Sequence, residues 1–427
     1  AYDDHILLLT MHHIVSDGWS MGVLYRELLA LYDAFSHEQL SPLPDLPVQY
    51  ADFSIWQRNW LQGEVLESQL SYWKTQLEGS AEVLNLPLDR PRPAVQSHRG
   101  ARQLIVLSEE LVQSLRALSR KEGVTLFMTL LAAFQTLLHR YTGQDDIVIG
   151  SPIANRNHIE IENLIGFFVN TLVLRSDLSG DPTFNELLTR VREMALGAYA
   201  HQDLPFEKLV EELQPKRSLS QSPLFEVMFV LQNASSLNPE IPGLTLTPVN
   251  ADNSTAKFTL MLYLHEDAEG LRGSLQYATD LFDTTTIERM SGHFHILLQS
   301  IVANPEQRIS ELPLLTAAEK RQLLLEWNDT KRDYPSDQCI HELFEAQVEK
   351  TPDAIAVVFE SQHLTYRELN NRANQLAHYL RKHGVGLEVL VGVWLERSVP
   401  DGSTSVIVLS ITAGVRPCHS VNDTSEA

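Results

Sequence analysis

The sequence predicts an α/β protein built around one large sheet. Apolar runs of strand length alternate with longer segments whose apolar residues recur every three to four positions, as on one face of a helix. Turn residues separate these segments, which is the pattern of strands joined by helices. The 427 residues suffice for two or three domains, and the apolar fraction of 44% is ordinary for a globular protein.

The first predicted strand is the apolar run over 6–9. It leads through Met11-His12-His13 to the turn residues Ser16-Asp17-Gly18, after which helical spacing predicts a helix over 19–36. Two histidines therefore fall at the exit of a strand, where open sheets commonly carry their functional side chains.

This histidine pair is open to two interpretations. An imidazole can take or give a proton near neutral pH, and a nearby carboxylate such as Asp17 can fix its tautomer or order its turn. A structural, hydrogen-bonded histidine is the alternative. Neighbouring side chains on a strand point to opposite faces, so His12 and His13 cannot bind one metal ion together. No metal site is expected, and only one of the two histidines can face a site.

Proline-rich segments divide the region that follows. The first, over 41–49, ends the helix, and one aromatic-rich helix is predicted over 50–77. The second, over 86–100, holds too much proline for a helix or a central strand, so we interpret it as a linker between two lobes.

Beyond this linker the alternation resumes. A strand is predicted over 102–107, followed by a helix capped by Ser108 and ended by Gly123. Thr125 begins the next helix, which closes near Gly143. The remaining predictions are strands at 147–149, 224–231, 257–265 and 271–278 and helices at 183–200, 205–213 and 284–303.

The last third of the chain changes character. Residues 304–340 are polar and weakly periodic and are predicted to be a linker. From Ile340 onward a helix, a strand over 354–359 and a helix over 366–383 indicate that a new domain begins. Residues 401–427 resemble none of this, and we expect a poorly structured tail.

Composition excludes several classes of protein. The formal charge of −22 argues against a nucleic-acid partner, which requires clustered lysine and arginine. The two cysteines, Cys339 and Cys418, lack the spacing of metal ligands, and a reducing cytoplasm is expected. No run has membrane-spanning length and no signal peptide opens the chain. Because the chain opens at Ala1, just before a strand, we expect it to be a fragment.

Five motifs resemble, in order, those of condensation domains of nonribosomal peptide synthetases. The first is the histidine segment, in the form His-His-x-x-x-Asp-Gly, and the resemblance covers roughly residues 1–315. The others are Tyr50-Ala51-Asp52-Phe53-Ser54-Ile55-Trp56, Ile165-Gly166-Phe167-Phe168-Val169-Asn170-Thr171, His201-Gln202-Asp203-Leu204-Pro205-Phe206-Glu207 and Arg217-Ser218-Leu219-Ser220-Gln221-Ser222-Pro223-Leu224.

Downstream, the segment from Asn328 and the motif Leu364-Thr365-Tyr366-Arg367-Glu368-Leu369 resemble the start of an adenylation domain. The match stops near Pro400, before that domain's nucleotide-binding loop, and a shifted reading frame is our hypothesis for the tail. The resemblance implies these parts: remainder of a condensation first lobe 1–90, second lobe 91–315, linker 316–340, truncated adenylation start 341–400 and divergent tail 401–427.

The resemblance implies a two-lobed fold similar to chloramphenicol acetyltransferase, with the first lobe incomplete and a tunnel between the lobes. Carrier domains would deliver donor and acceptor as phosphopantetheine thioesters, and no cofactor would be bound covalently. The acceptor amine would attack the donor thioester to form an amide, and a downstream adenylation domain is the further expected partner. The segment Ser16-Asp17-Gly18-Trp19-Ser20 resembles the subclass that joins an L donor to an L acceptor.

The resemblance also assigns roles to residues. His13 would face the tunnel, either as general base or by orienting the amine. Asp17 would pair with an arginine that holds the loop, for which Arg156 is the candidate. At Gly18 a side chain would crowd the pantetheine path. His12 completes the motif.

The remaining motif residues are expected to maintain the fold. Asn170 follows a buried Phe-Phe-Val segment, so its amide is expected to satisfy backbone groups near the cleft. Asp203 lies close to the start of a helix at Pro205 and is expected to act through capping. Packing roles are predicted for the aromatic side chains of Trp56, Tyr72 and Trp73.

Three alternatives remain beside peptide-bond formation. An epimerisation domain shares the histidine motif, but it would follow a carrier domain and would not lead into an adenylation domain. A free acyltransferase that uses coenzyme A shares the fold, but it would lack the Leu-Thr-Tyr-Arg-Glu-Leu segment. A non-catalytic fragment that only docks carrier proteins is the third, because the missing part of the first lobe would leave apolar surface exposed.

Overall fold

The computed structural model describes residues 5–80, 83–215, 222–232, 254–267, 270–333, 337–359 and 361–386, with residues 247, 249, 389, 391 and 392. The chain divides into two compact units, residues 1–326 and 327–427. The fifth predicted motif, from Arg217, lies mostly outside the described residues, and the predicted tail lies entirely outside them.

The first described segment corrects the sequence-based prediction. Residues 5–12 form no strand, and the side chains of Ile6, Leu7 and Leu8 are 85%, 70% and 81% exposed. A buried strand needs a neighbour for its amides and a surface for its side chains. The described residues place neither beside this segment. His13 therefore begins a 3-10 turn over His13–Val15, with His12 as its N-cap, and neither histidine lies at the end of a strand.

Three helices follow: α1 (Gly18–Ser36), α2 (Tyr50–Trp60) and α3 (Gly63–Leu77). The prediction of α1 is confirmed. The prediction of a single helix over 50–77 is wrong, because the helix is interrupted between Trp60 and Gly63. Gly63 has φ of +51°, a left-handed conformation that a helix interior cannot contain and that glycine adopts readily.

A six-stranded mixed sheet forms the centre of the first unit. Its order is β1-β6-β5-β4-β2-β3, with β4 parallel to both β5 and β2 and the other pairs antiparallel. The strands are β1 (Gly100–Ser108), β2 (Asp146–Ile153), β3 (Asn170–Asp177), β4 (Val227–Gln232), β5 (Leu260–Asp267) and β6 (Gly270–Ala278). The large predicted sheet is confirmed, although β3, an edge strand, was not predicted.

One face of this sheet is covered by helices. In β1, Ile105 and Leu107 are buried against them while Leu104 and Val106 are 74% and 58% exposed, which is the alternation of a strand with one buried face. The predicted helix starts at Ser108, Thr125 and 183 are confirmed by side-chain caps. The helices are α4 (Glu109–Lys121), α5 (Leu126–Thr142), α6 (Phe184–Ala200), α7 (Phe206–Leu213) and α8 (Thr284–Ala303).

The segment predicted to link two lobes has no helix, as expected, but it packs onto the sheet domain. Leu84 and Leu86 are buried, and the Arg92 guanidinium contacts Glu226 Oε2 at 2.8 Å. The amide of Asp89 donates to the carbonyl of Leu281. In the structure this segment is therefore held against the sheet domain by packing and hydrogen bonds.

The region predicted as a linker after 304 is more ordered than expected. It contains α9 (Ala317–Arg321), which continues as one π-helical turn over Gln322–Glu326. The Tyr141 hydroxyl lies 2.7 Å from His293 Nδ1, and His293 Nε2 lies 2.9 Å from Glu319 Oε1. This chain of hydrogen bonds holds α9 to α5 and α8.

The second unit contains α10 (Ile340–Lys350), a hairpin of β7 (Ile355–Phe359) and β8 (Gln362–Thr365), and α11 (Tyr366–Lys382). Its helices and β7 were predicted, whereas β8 was not. Leu364 and Leu369 form the centre of its small apolar cluster. Thr365 caps α11 in a capping box with Glu368.

Within the described part of the chain, no single helix is both long and apolar enough to cross a membrane. Only α4 and α5 taken together meet that measure, and they are bent by 104° at their junction.

Candidate active site

The histidine turn is held by the N-terminus of α1. Asp17 is the N-cap residue, and its Oδ1 accepts a hydrogen bond of 2.8 Å from the Ser20 amide. Ser16, Asp17 and Ser20 are buried, whereas His13 is exposed. A buried, capped support therefore carries an imidazole that solvent and ligands can reach.

The tautomer of His13 follows from its contacts. His13 Nδ1 lies 2.7 Å from the Ser16 carbonyl oxygen, and because a carbonyl only accepts, Nδ1 must carry the hydrogen. In the neutral ring, Nε2 then has the lone pair. The Phe167 ring contacts the imidazole edge to face, with 5.4 Å between ring centroids. The ring is thus oriented from two sides, with Nε2 available as a proton acceptor.

His12 has the opposite arrangement. Its Nδ1 accepts a hydrogen bond of 3.1 Å from the Ile14 amide, so in the neutral ring the hydrogen lies on Nε2. This bond caps the 3-10 turn. His12 therefore supports the turn, and His13 is the histidine whose acceptor nitrogen is presented.

The Asp17 carboxylate joins α1 to the loop before β3. Its Oδ2 accepts from the amides of Phe168 and Val169 at 2.9 and 3.3 Å, and its Oδ1 lies 3.3 Å from Arg156. The side chains of Asp17 and Arg156 are only 2% and 1% exposed. The ion pair that the resemblance implied is present in the structure, and it is fully buried.

Both terminal nitrogens of Arg156 are hydrogen-bonded, whereas its buried Nε has no partner among the described residues. Its Nη1 donates to the carbonyls of Ile161 and Leu164 at 2.7 and 2.8 Å, and its Nη2 donates to Ser20 Oγ at 2.8 Å. The guanidinium carbon lies 4.0 Å from the centroid of the Phe168 ring. Lysine could not reproduce this planar set of contacts.

Burial acts on both ionised groups of this pair. Burial by itself would raise the pKa of Asp17, but hydrogen bonds from Ser20 and Phe168 and the charge of Arg156 outweigh it and leave the pKa below its ordinary value. Burial lowers the pKa of Arg156, and Asp17 opposes that shift. The carboxylate is therefore the preferred form of Asp17 in the folded protein.

Asn170, the first residue of β3, satisfies backbone groups as predicted. Its amide nitrogen donates to the carbonyls of Gln202 and Leu204, both at 2.8 Å, and its oxygen accepts from the amides of Thr171 and Phe206. The prediction that Asp203 caps the following helix is wrong. The cap residue is Pro205, so Asp203 lies two residues too early, and Asn170 takes the Phe206 amide instead.

Asp203 lies on a different surface. It lines a small cleft with His158, Trp56 and Trp60. Burial raises its pKa, and the charge of His158 partly offsets this rise. Trp56 stacks on Trp60 but is 41% exposed, so its packing is only partial.

The predicted packing of Trp73 and Tyr72 is confirmed. Trp73 is 2% exposed and donates to the His201 carbonyl at 2.8 Å, and the Tyr72 ring stacks on the His201 ring with 4.0 Å between centroids.

The role of Ser20 was not predicted from the sequence. Its Oγ donates to the Gly166 carbonyl and accepts from the Gly166 amide. Its place within the first motif was the one available signal.

Removing either member of the ion pair should destabilise the fold. We expect Asp17→Ala and Arg156→Ala each to lower the free energy of unfolding by about 3–5 kcal/mol, because each leaves a buried charge unpaired. The double variant should lose less than the sum. Urea unfolding measures this, with Arg26→Ala as control, since the exposed Arg26 bonds to Asn163 Oδ1 at the surface. Additive losses would contradict the coupling.

The Asp17 contribution should depend on pH. Because its pKa is lowered by folding, its stabilisation is complete above the ordinary value of 3.8 and is lost as pH falls through the folded-state pKa. The difference in unfolding free energy between wild type and Asp17→Asn should therefore be constant from about pH 7 to 5 and shrink below about pH 4. A constant difference down to pH 3 would show that the carboxylate charge is not involved.

Comparison with known proteins agrees with this geometry. A family model of the condensation domain matches residues 1–324, and a model of AMP-binding enzymes matches residues 344–400. A linear gramicidin synthase of Brevibacillus parabrevis is 55% identical over 399 residues, which are 93% of this chain and 8% of that protein. Malpinin synthetase of Mortierella alpina is 51% identical over 93% of this chain and 5% of that protein.

Solved structures show the same fold. The X-domain from teicoplanin biosynthesis superposes with a TM-score of 0.65 at 32% identity, covering 71% of this chain and 70% of that one. A four-domain nonribosomal peptide synthetase bound to AMP and glycine gives 0.77 at 26% identity, covering 93% of this chain and 31% of that one. The mixed sheet with its helices fits the two-lobed condensation fold. The chain spans 5% to 10% of the length of such curated relatives. It belongs to the condensation-domain family of nonribosomal peptide synthetases and continues into the start of an AMP-binding domain.

Proposed function

We propose that this chain forms peptide bonds between two carrier-bound substrates. The observation that carries the proposal is the state of His13, whose Nδ1 hydrogen is bound by the Ser16 carbonyl so that Nε2 is presented as an acceptor. A group that must take a proton from an attacking amine needs this arrangement. Asp17 and Arg156, both buried, fix the turn that carries the ring.

The reaction is amide formation with release of a thiol. The acceptor amine attacks the thioester carbonyl carbon of the donor, a carbon–nitrogen bond forms and the carbon–sulfur bond breaks. The amine nitrogen gives up one proton, and the departing sulfur gains one. His13 Nε2 either takes that proton as general base or accepts a hydrogen bond from the amine to orient it and stabilise its developing charge.

The other motif residues are proposed to act on the support of His13. Asp17, Arg156 and Asn170 are positioning residues, because their contacts run to backbone and to one another. Gly18 is proposed to leave room for the pantetheine arm of a substrate. A Cβ built at Gly18 would meet no heavy atom of the described residues within 4 Å, and its φ is not positive, so the fold itself does not require glycine there.

The proposed partners are donor and acceptor carrier domains, which deliver phosphopantetheine thioesters, and a downstream adenylation domain, all in the cytoplasm. The AMP-binding match over 344–400 supports the last of these and favours condensation over the epimerisation and coenzyme A alternatives. We also propose the division into lobe residues 1–90 and 91–315, linker 316–340, adenylation start 341–400 and tail 401–427. The L-to-L subclass remains a proposal on the motif Ser16 to Ser20.

One observation favours a second candidate function, non-catalytic docking. Ile6, Leu7, Leu8 and Ile14 are each at least 70% exposed, so apolar surface lies directly beside the histidine turn. Such surface could bind another polypeptide without chemistry. Carrier binding without amide formation would support this function.

Replacing His13 should abolish most of the activity. In an assay of the purified chain with donor and acceptor carriers loaded with L-aminoacyl thioesters, His13→Ala is expected to slow amide formation about 10²–10⁴-fold, as for loss of a general base. Mass spectrometry of the acceptor carrier measures the product. His37→Ala is the matched control, because His37 is exposed at the far end of α1 and bonds to residues of that helix.

Two results would separate the candidates. Equal rates for His13→Ala and wild type would refute His13 as the central residue, whereas carrier binding without product in the wild type would favour docking. The pH profile of the rate distinguishes the two roles of His13. If His13 is a general base, the rate falls as His13 becomes protonated. In that case His13→Gln should be as slow as His13→Ala.

Replacing Gly18 should separate access from folding. Gly18→Ala adds a methyl group at the first turn of α1, where alanine is the better helix former, so the unfolding free energy should stay equal or rise slightly. Amide formation should nevertheless become slower, chiefly through a higher KM for the loaded carrier. Unchanged kinetics would show that the pantetheine arm does not pass Gly18.

A further inference from the structure

A second cavity lies on the helix-covered face of the sheet, at the end of β2. It has a volume of about 310 Å³, and it lies between the carboxyl end of β2, the start of α5 and the end of α6. Its lining is Thr125, Leu126, Phe127, Ser151, Pro152, Ile153, Leu172, Leu174, Tyr199 and Leu231. The walls are mainly apolar, with three hydroxyl-bearing side chains among them.

Ser151 is a polar group of this cavity that lacks a hydrogen-bond partner among the described residues. It is 2% exposed, and its buried Oγ makes no hydrogen bond to any described residue. A buried hydroxyl without a partner lowers stability, so natural proteins rarely keep one unless something else binds it. Thr125 differs, because its hydroxyl caps α5. The cavity therefore offers a ligand the Ser151 hydroxyl, and the Tyr199 hydroxyl, which also makes no hydrogen bond to a described residue, lies in the same lining.

Strand pairing and short chain connections link the cavity to the histidine turn. Its residues Ile153 and Pro152 pair across the sheet with Asn170 and Thr171. Asn170 is three residues after Phe167, the residue that contacts the His13 ring, and three residues span at most about 10 Å. Tyr199, another lining residue, is three residues before Gln202, whose carbonyl accepts a hydrogen bond from the Asn170 amide. Both of these connections between the histidine turn and the cavity pass through Asn170.

We propose that this cavity is a specificity pocket that binds the large apolar side chain of one of the two condensing aminoacyl groups, with Ser151 Oγ bonding to a polar atom on that side chain. The proposal rests on the proposed function for the source of the ligand. A volume near 300 Å³ is at the lower limit of ligand pockets, which suits one side chain better than a peptide. Aromatic side chains with one polar atom, as in tyrosine, fit this combination best.

Binding to simple probes tests the pocket without any reaction. L-phenylalaninamide and L-alaninamide stand for an acceptor, and their N-acetyl forms stand for a donor whose amine is acylated. The full chain should bind the phenylalanine probe of one of these two series at least about 10-fold more tightly than its alanine counterpart, because apolar pockets discriminate by about that factor per methylene. The series that discriminates identifies the substrate that uses the pocket.

Two variants give the pocket a distinct response. Ile153→Phe narrows the pocket and should bring the phenylalanine-to-alanine ratio close to one, whereas Ile355→Phe, on an exposed strand of the second unit, should leave it unchanged. Ser151→Ala is nearly isosteric and should keep the fold. We expect the wild type to bind the corresponding tyrosine amide about 10-fold more tightly than the phenylalanine amide, and Ser151→Ala should remove this preference because the partner of the tyrosine hydroxyl is lost.

Equal binding of alanine and phenylalanine probes by the wild type in both series would overturn the proposal, and so would a ratio that Ile153→Phe does not change in a folded protein. If Ile153→Phe unfolds, Ser151→Ala still decides, since an unchanged tyrosine preference would refute the role of Oγ. If the chain forms no amide but shows the expected binding ratios, the proposed function is refuted and the pocket proposal still stands. Amide formation without the ratios would refute the pocket alone.

Discussion

The buried ion pair of Asp17 and Arg156 is the interaction on which the rest of the site depends. It connects the first turn of α1 to residues far along the chain, and the same two side chains also bind the loop over 161–169. A buried pair adds little net stability by itself, because both ions lose their hydration. The contacts of the two side chains are compatible with one position of α1 relative to the loop. The main effect of the ion pair is therefore to fix where the histidine turn lies.

Asn170 is the second junction. Its side chain binds two carbonyls and two amides, and in this way the start of β3, the segment 202–204 and the first turn of α7 are held together. The loop that carries Phe167 to the His13 ring precedes Asn170, and Ile153, which pairs with Asn170 across the sheet, lines the apolar cavity. A single amide side chain therefore joins the segments that lead to the histidine turn and to the cavity.

The site separates the group proposed to react from the groups that hold it. His13 is exposed, and its supports Ser16, Asp17 and Ser20 are buried. His12 and His13 also have opposite tautomers, because one accepts a hydrogen bond from an amide while the other donates to a carbonyl. A reactive side chain held by locked neighbours keeps its geometry while ligands enter and leave.

The sequence by itself determined the family, the sheet, most helix starts and the identity of the histidine motif. These are local properties: Ser108 and Thr125 cap helices through their own next residues, and the apolar periods need no tertiary contact. Tertiary structure decided the rest. Residues 6–9 have the composition of a strand but pair with no strand among the described residues, and Gly63 breaks a helix that periodicity continues. The edge strand β3 begins within the last two residues of a motif. The Phe206 amide is bound by Asn170 and not by Asp203. The hydrogen-bond partners of Nδ1 in His12 and His13 also became visible only in the folded turn, because hydrogen bonds depend on geometry that composition does not contain.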